Sequence, residues 1–279
     1  MPSIAEKRRA FRALHERGCF VIPNPWDVGT ARYLQHLGFS AIATTSSGAA
    51  WSLGLPDTAV GRDGMLAHIT TIVGASDLPV NADFESGYAA WPREVGESAR
   101  MCVDTGVAGL SIEDSTGDPN KPLFSLEEAV ARIRAARGAI DARDPEVMLV
   151  GRAECFLVGR TDLDETIARL QAYASAGADC LYAPGIRMRE QIAKIVEAVA
   201  PKPVNVLIGG ALGFTVKDLA ALGVRRISVG GALARAAWGG FIRAARSIAE
   251  AGTFDALADA VSFAELNGFF RQNLERRRP

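Results

Sequence analysis

Short β-branched and apolar runs alternate with longer stretches of amphipathic, helix-like spacing from residue 20 to about residue 250. The runs "FVIPNPW", "AIATTS", "PVNADFE", "GLSIED", "VMLVGRAE", "CLYAPG", "PVNVLIG" and "RISVGG" read as strands, each followed by a helix. Alternation of this kind is the pattern of a parallel sheet with crossover helices. Eight such units in succession predict an α/β fold, a (β/α)8 TIM-type barrel rather than an open sheet, which more often has five or six strands.

The punctuation agrees. "HLGFSAI", "DTGVAGL", "SAGADCLY" and "ALGVRRIS" each place a glycine just before a strand, where a helix ends in a left-handed cap. "SLEEAVARI" and "DLDETIARL" open with a capping residue and early acids that suit the positive end of a helix. No Pro- or Ser-rich linker interrupts the repeat, so residues 1–279 read as a single barrel domain, with residues 252–279 as its C-terminal helical extension. Phe263, Leu266, Phe269 and Phe270 in that extension need a surface to cover. The chain's own barrel or a neighbouring subunit, reached by exchange, would serve, and a homo-oligomer, dimer or tetramer, is expected.

Composition narrows the partners. The 32 acidic and 31 basic residues nearly cancel, so no overall field favours a nucleic acid or a membrane surface. No apolar run approaches the ~20 residues of a membrane span, and "MPSIAEKRRAFRALHERG" lacks the apolar centre of a signal peptide. A cytoplasmic location is expected. Cys19, Cys102, Cys155 and Cys180 are scattered, with no C-x-x-C pair and no nearby histidine, which predicts buried free thiols and no zinc site. His15, His36 and His68 all fall in predicted helices, and no G-x-S-x-G occurs, so a Ser/His/Asp hydrolase is not indicated.

In barrels of this type chemistry gathers at the carboxyl ends of the strands. Those ends carry Asp83 and Glu85 on the third, Glu113 and Asp114 on the fourth, Arg152 and Glu154 on the fifth, and Asn205 on the seventh. If Val80, Ala82 and Phe84 pack outward, then Asn81, Asp83 and Glu85 face into the barrel. Arg152 alone could tie these acids into a structural ion cluster, but it leaves charge uncompensated, at a cost of several kcal/mol per ion. A hard divalent cation removes that difficulty, and since zinc would want histidine or cysteine ligands, Mg²⁺ is the natural candidate, Mn²⁺ its substitute. Asp83 is its direct ligand on this reading, with Glu85 and Glu113 reaching the ion directly or through water. A Schiff-base lysine is not available: Lys7, Lys194 and Lys217 sit in helices, Lys202 precedes the seventh strand, and Lys121 lies on a loop. The glycine-rich ends "LIGGALGF" and "SVGGALARAA" leave phosphate binding open as a weaker alternative.

Together the segments "NPWDVGTARYLQHLGFSAIATTSSGAAWSLGLPD", "LPVNADFESGYA", "GVAGLSIEDS", "VGRAECFLVG", "AGADCLYAPG" and "PVNVLIGG" resemble the isocitrate lyase and phosphoenolpyruvate mutase superfamily. The resemblance spans most of the barrel. It implies a magnesium-dependent enzyme that makes or breaks a C–C or P–C bond beside an α-oxycarboxylate, through a pyruvate enolate or a related oxyanion. By position it implies Asp83 as metal ligand, Glu85 and Glu113 as helpers, and Asp57 as an acid holding metal-bound water. Thr45, Ser46 and Ser47 match the loop that receives the substrate carboxylate, Arg152 the arginine that pairs with substrate, and Asn205 a further contact. Trp26, in the matching "NPWDVG" segment, is assigned to the substrate as well.

One departure limits the match. Isocitrate and methylisocitrate lyases carry a K-K-C-G-H or K-R-C-G-H loop after the fourth strand; here the loop reads "EDSTGDPNKPLFSLEEA", with neither cysteine nor histidine. The mutase branch uses a lysine and an asparagine followed by serine, and this loop offers Asn120, Lys121 and later Ser125 in a different arrangement. Asp118, Asn120 and Lys121 nonetheless sit where a mobile lid would close over substrate. Three readings follow: a lyase or decarboxylase acting on a small 2-oxo or 2-hydroxy dicarboxylate, a phosphonopyruvate-type P–C enzyme, and a non-catalytic carboxylate-binding barrel.

Overall fold

The computed structural model describes residues 2–277; Met1 and the last two residues of the predicted extension lie outside the described residues. Eight parallel strands form one sheet: β1 Phe20–Ile22, β2 Ile42–Ala43, β3 Val80–Asp83, β4 Gly109–Glu113, β5 Met148–Arg152, β6 Cys180–Tyr182, β7 Val204–Leu207 and β8 Arg226–Ser228. Each falls inside one of the runs identified from sequence, and each is followed by a helix. The pairing order β1-β8-β7-β6-β5-β4-β3-β2 leaves β1 and β2 at the two ends. Ala43 N–H donates to Pro23 C=O at 3.0 Å and brings those ends together, so the fold is the (β/α)8 barrel that the repeat predicts.

Helix ends follow their local chemistry. Ser125 and Glu128 form a reciprocal capping box at the start of the helix Leu126–Arg143, and Asp162 accepts from the N–H groups of Asp164 and Glu165. Gly177 and Gly223, predicted to end helices, take φ 106° and 82°, angles at which a side chain would be strained.

Two apolar layers position the site. Val80, Ala82 and Phe84 point away from the barrel axis into the main core beneath the helices, as the alternation of β3 predicts. Inside, Phe11 from the helix Ile4–Glu16 joins Ile22, Ala43, Ala108 and Met148 to close the amino ends of the strands. His15 packs against Phe11, one turn back on the same helix, and against Phe20 of β1; burial, reinforced by the Arg226 charge, lowers its pKa to about 3 and keeps it neutral.

The described chain divides after Ala232 into two compact units. The second contains most of the helix Ala232–Arg246, one π-helical turn over Ser247–Ala251 and the helix Phe263–Arg276, with Phe241, Phe254 and Phe263 exposed.

Candidate active site

β2 is only two residues long because Thr45 turns the chain into a helix, Ser46–Ser52, its Oγ1 accepting from Gly48 N–H at 3.3 Å. That turn aims the Ser46 N–H across at β3, where it donates to Asp83 Oδ2 at 3.0 Å. Asp83 is held from two further directions: its own N–H donates to Thr44 Oγ1 at 2.9 Å, and its Oδ1 accepts from Arg152 Nη1 at 3.2 Å. The same Nη1 stands 3.1 Å from Glu113 Oε2, while Arg152 Nε donates to Glu154. One guanidinium at the end of β5 thus gathers three carboxylates, with the Tyr182 ring 5.1 Å from its Cζ.

The acids outnumber the charge that could balance them. Burial pushes Glu113 well above the usual carboxylate range, against the pull of Arg152, and shifts Glu154 the same way. Arg152 stays a cation, because Glu113 and Glu154 outweigh the opposing effect of its burial. Glu85 is raised by burial to about 7 although Tyr88 OH donates to its Oε1 at 2.9 Å. Asp57, at the rim, is raised by burial of its carboxyl, with the Asp83 charge acting in the same direction. Burial is the first cause of each of these carboxyl shifts, and the neighbouring carboxylates add to it.

Asp57, Asp83 and Arg152 border a cavity of ≈ 140 Å³ within the barrel mouth. Drug-sized and cofactor pockets run from about 300 Å³ upward, so this space suits a small acid. Of the residues singled out from sequence, Thr45, Ser46, Ser47, Asp57, Asp83, Arg152 and Asn205 line it. Glu113 joins through Arg152. Glu85 does not extend β3: the strand stops at Asp83, and Glu85 and Tyr88 take φ 45° and 53°, left-handed angles that are costly for side-chain-bearing residues. Asp83 and Glu85 therefore do not share a strand face, although Glu85 still feels the charges of Asp83 and Asp57.

Three of the residues singled out stand elsewhere. Trp26 is half-buried, with its N–H donating to Thr30 Oγ1 at 3.3 Å. Asn120 donates from its backbone N–H and its side chain to Asp118 Oδ1, at 2.8 and 3.2 Å, and Lys121 Nζ lies 3.6 Å from Glu128, all on an exposed loop. None of the three lines the cavity, and neither Glu85 nor Glu113 reaches its wall.

Residues that sequence reasoning passed over complete the walls. Arg226 Nε donates to Asn205 Oδ1 at 2.9 Å, and Asn205 Nδ2 donates to Ser228 Oγ at 2.9 Å. Asn24 joins both ends of the barrel: its Nδ2 donates to Thr44 C=O at 2.8 Å, and its Oδ1 accepts from Val229 and Gly230 N–H at 3.1 and 2.8 Å. At Gly231 a Cβ would stand 2.7 Å from Ser47 Oγ, so only glycine lets the turn after β8 approach the Thr45–Ser47 turn this closely. Behind the site, Asp114 is buried and accepts from Glu154 N–H at 2.8 Å, Arg169 at 3.0 Å and Tyr173 OH at 2.6 Å, a fully satisfied brace.

A metal ion would meet only oxygen donors here, since no histidine or cysteine is on the cavity wall. Among the described residues no three acid, histidine or cysteine side chains stand close enough to hold an ion unaided. Donors of this kind fit Mg²⁺, which takes one or two carboxylates and keeps several waters or substrate oxygens.

Residues 11–249 match the phosphoenolpyruvate phosphomutase family. The chain belongs to this family. Among its relatives, the 2-methylisocitrate lyase of Escherichia coli is 34% identical over 229 residues, covering 78% of this chain and 76% of that protein. The oxaloacetate decarboxylase of Paraburkholderia xenovorans is 32% identical over 233 residues, covering 80% of this chain and 74% of that protein. A crystal structure from Burkholderia cenocepacia J2315, provisionally assigned as a lyase/mutase, superposes with a TM-score of 0.91 at 50% identity, covering 96% of each chain. Membership of the isocitrate lyase and phosphoenolpyruvate mutase superfamily, implied by the strand-end segments, is therefore correct.

Proposed function

We propose that this family member is a Mg²⁺-dependent lyase or decarboxylase that breaks the C–C bond beyond C2 of a small 2-oxo or 2-hydroxy dicarboxylate. One observation carries the reading: Asp57, Asp83 and Arg152 line a cavity sized for a small acid, and Glu113, held by the same Arg152, carries a carboxyl raised by burial. The name of one relative, an oxaloacetate decarboxylase, supports the same substrate class, and that of another, a 2-methylisocitrate lyase, supports C–C cleavage.

When bound, Mg²⁺, or Mn²⁺ in its place, would supply charge stabilisation for the C2 oxyanion, an enolate left by cleavage of a 2-oxo acid or the alkoxide from which cleavage of a 2-hydroxy acid starts. Asp83 would hold it, with Glu85, Glu113 and Asp57 around its waters. The chain's own part is orientation. Ser46 N–H and Arg152 fix Asp83, and Glu113 and Glu154 grip Arg152 through Nη1 and Nε. Its remaining donors are left for a planar substrate carboxylate. The Thr45–Ser47 turn and Asn205 complete the lining of the cavity. With no cysteine in the loop after β4, the proposal does not extend to tricarboxylate cleavage by the usual lyase route. We take the working form to be a cytoplasmic homo-oligomer, dimer or tetramer.

The family match itself favours a second reading, P–C chemistry on a phosphonopyruvate-type substrate. A panel of 2-oxo and 2-hydroxy dicarboxylates with Mg²⁺, assayed for 2-oxo acid release, tests the first. Phosphonopyruvate followed by ³¹P resonance tests the second. Release of a 2-oxo acid from a dicarboxylate, with an unchanged ³¹P spectrum, is expected. Saturable binding of these acids with no product from any of them would leave only a carboxylate-binding barrel.

A further inference from the structure

Arg226 is the first residue of β8, is 3% exposed, and borders the cavity. Its guanidinium reaches across the barrel interior, Nε donating to Asn205 Oδ1 at 2.9 Å and Nη1 approaching Asn81 Oδ1 at 3.4 Å. Both partners are neutral amides. Among the described residues no carboxylate lies within ion-pair distance of it. An arginine presents five N–H donors and never loses its proton in a protein. Burying that charge without an anion costs several kcal/mol.

The other buried arginines show how this protein normally meets that cost. Arg8 pairs with Asp144, Arg169 with Asp114, and Arg152 with three carboxylates. Arg132 also lacks a carboxylate, but the carbonyls of Ser86, Ala89 and Ala90 at 3.2, 3.0 and 2.6 Å accept from it and the Phe124 ring covers it, away from the cavity. Arg226 combines what none of these does: a cavity wall, neutral partners and unused donors.

We propose that Arg226 receives a second carboxylate of the substrate, one that is retained through bond cleavage. The proposal rests on the C–C lyase reading and sharpens it. On β3, Asn81 lies two residues below Asp83 on the same face, roughly 6–7 Å along the strand. An acid whose C1 carboxylate and C2 oxygen lie by Asp83 and Arg152 would carry its distal carboxylate down to the Arg226 layer. A carboxylate that departs as CO₂ must give up its charge in the transition state, and an arginine bound to it would hold back that change. The group on Arg226 is therefore one that stays with a product, which selects aldol-type cleavage over decarboxylation.

The test compares malate with 2-hydroxybutyrate, which have the same 2-hydroxy acid head and chain length and differ by one distal carboxylate. Calorimetry with Mg²⁺ present also includes oxalate, which occupies the head position alone. Wild-type protein should bind malate at least about tenfold more tightly than 2-hydroxybutyrate. Arg226→Met should erase that preference while leaving oxalate affinity unchanged, and Arg226→Lys should keep part of it. Equal affinities in the wild type, a measurement that needs no variant to fold, overturn the assignment, as does a malate preference that survives in Arg226→Met. Oxalate that fails to bind while the malate preference holds would instead remove the enolate reading and leave Arg226 as an anion receptor.

Discussion

The backbone N–H of Ser46 donates to Asp83 Oδ2 at 3.0 Å, tying the first turn of one helix to the last residue of β3. Arg152 holds the other oxygen of the same carboxylate, so its position is fixed before any ligand arrives. Asp83→Asn keeps the shape and the contact with Ser46 but removes the charge. Turnover in the 2-oxo acid release assay should fall by at least about 10²-fold, with the circular dichroism and thermal midpoint close to wild type. Activity within severalfold of wild type would remove Asp83 from the chemistry.

Chelation should silence the enzyme. Dialysis against EDTA is expected to abolish turnover, with Mg²⁺ or Mn²⁺ restoring it and Ca²⁺, larger and less strict in geometry, doing so poorly. Full activity in protein shown by elemental analysis to be metal-free contradicts the proposal.

Glu85 makes stability depend on pH in a defined direction. Its folded pKa, about 7, lies above the ordinary 4.5, so folding takes up a proton between those values. The stabilisation is fully present below about 4.5 and is lost as pH rises through about 7. Denaturant titrations in metal-free buffer should show wild-type protein losing more stability between pH 5 and pH 8 than Glu85→Gln does. Parallel curves for the two proteins would mean that Glu85 titrates normally.

Asp114 is structural rather than chemical. It is the buried acceptor for Arg169, Tyr173 and Glu154 N–H, and Asp114→Ala strips Arg169 of its buried partner, leaving only the half-buried Glu165 at 3.2 Å. Loss of a partner from a buried pair costs about 3–5 kcal/mol, read as a shift in the urea midpoint. Tyr173→Phe, which removes one hydrogen bond, should cost about 1 kcal/mol.

Lys121 tests the loop after β4. It sits 3.6 Å from Glu128 and well away from the cavity, so it contributes only if the loop folds over bound substrate. Lys121→Ala should then lower kcat several-fold while oxalate affinity holds. Unchanged kcat assigns the lysine to the surface pair alone.

Much of this was legible in the chain. Alternating periods gave all eight strands, and reading strand ends found Asp83, Glu113 and Arg152 because a barrel must present those positions at its mouth. Glu85 was harder: strand alternation cannot foresee that the backbone leaves β3 after Asp83 and turns left-handed. Loop residues were harder still, since Asn120 and Lys121 follow local hydrogen bonds to Asp118 and Thr116 that depend on the loop's own path. Arg226 was missed although its signal was present. Counting back by two from Ser228 puts it inward and leaves Arg225 at the surface, bonded to Gly18 C=O at 2.6 Å.

Asn24 fastens Thr44 to Val229 and Gly230, residues separated by most of the polypeptide. A ribosome delivers the amino-terminal strands first. Until β8 emerges, Asn24 can reach only Thr44, the ring stays open along one side, and the acid-lined hollow lacks its Arg226 wall. Birth of the catalytic chamber is thus postponed to the closing stage of synthesis, and a polypeptide shortened by even its last strand would lack the chamber altogether.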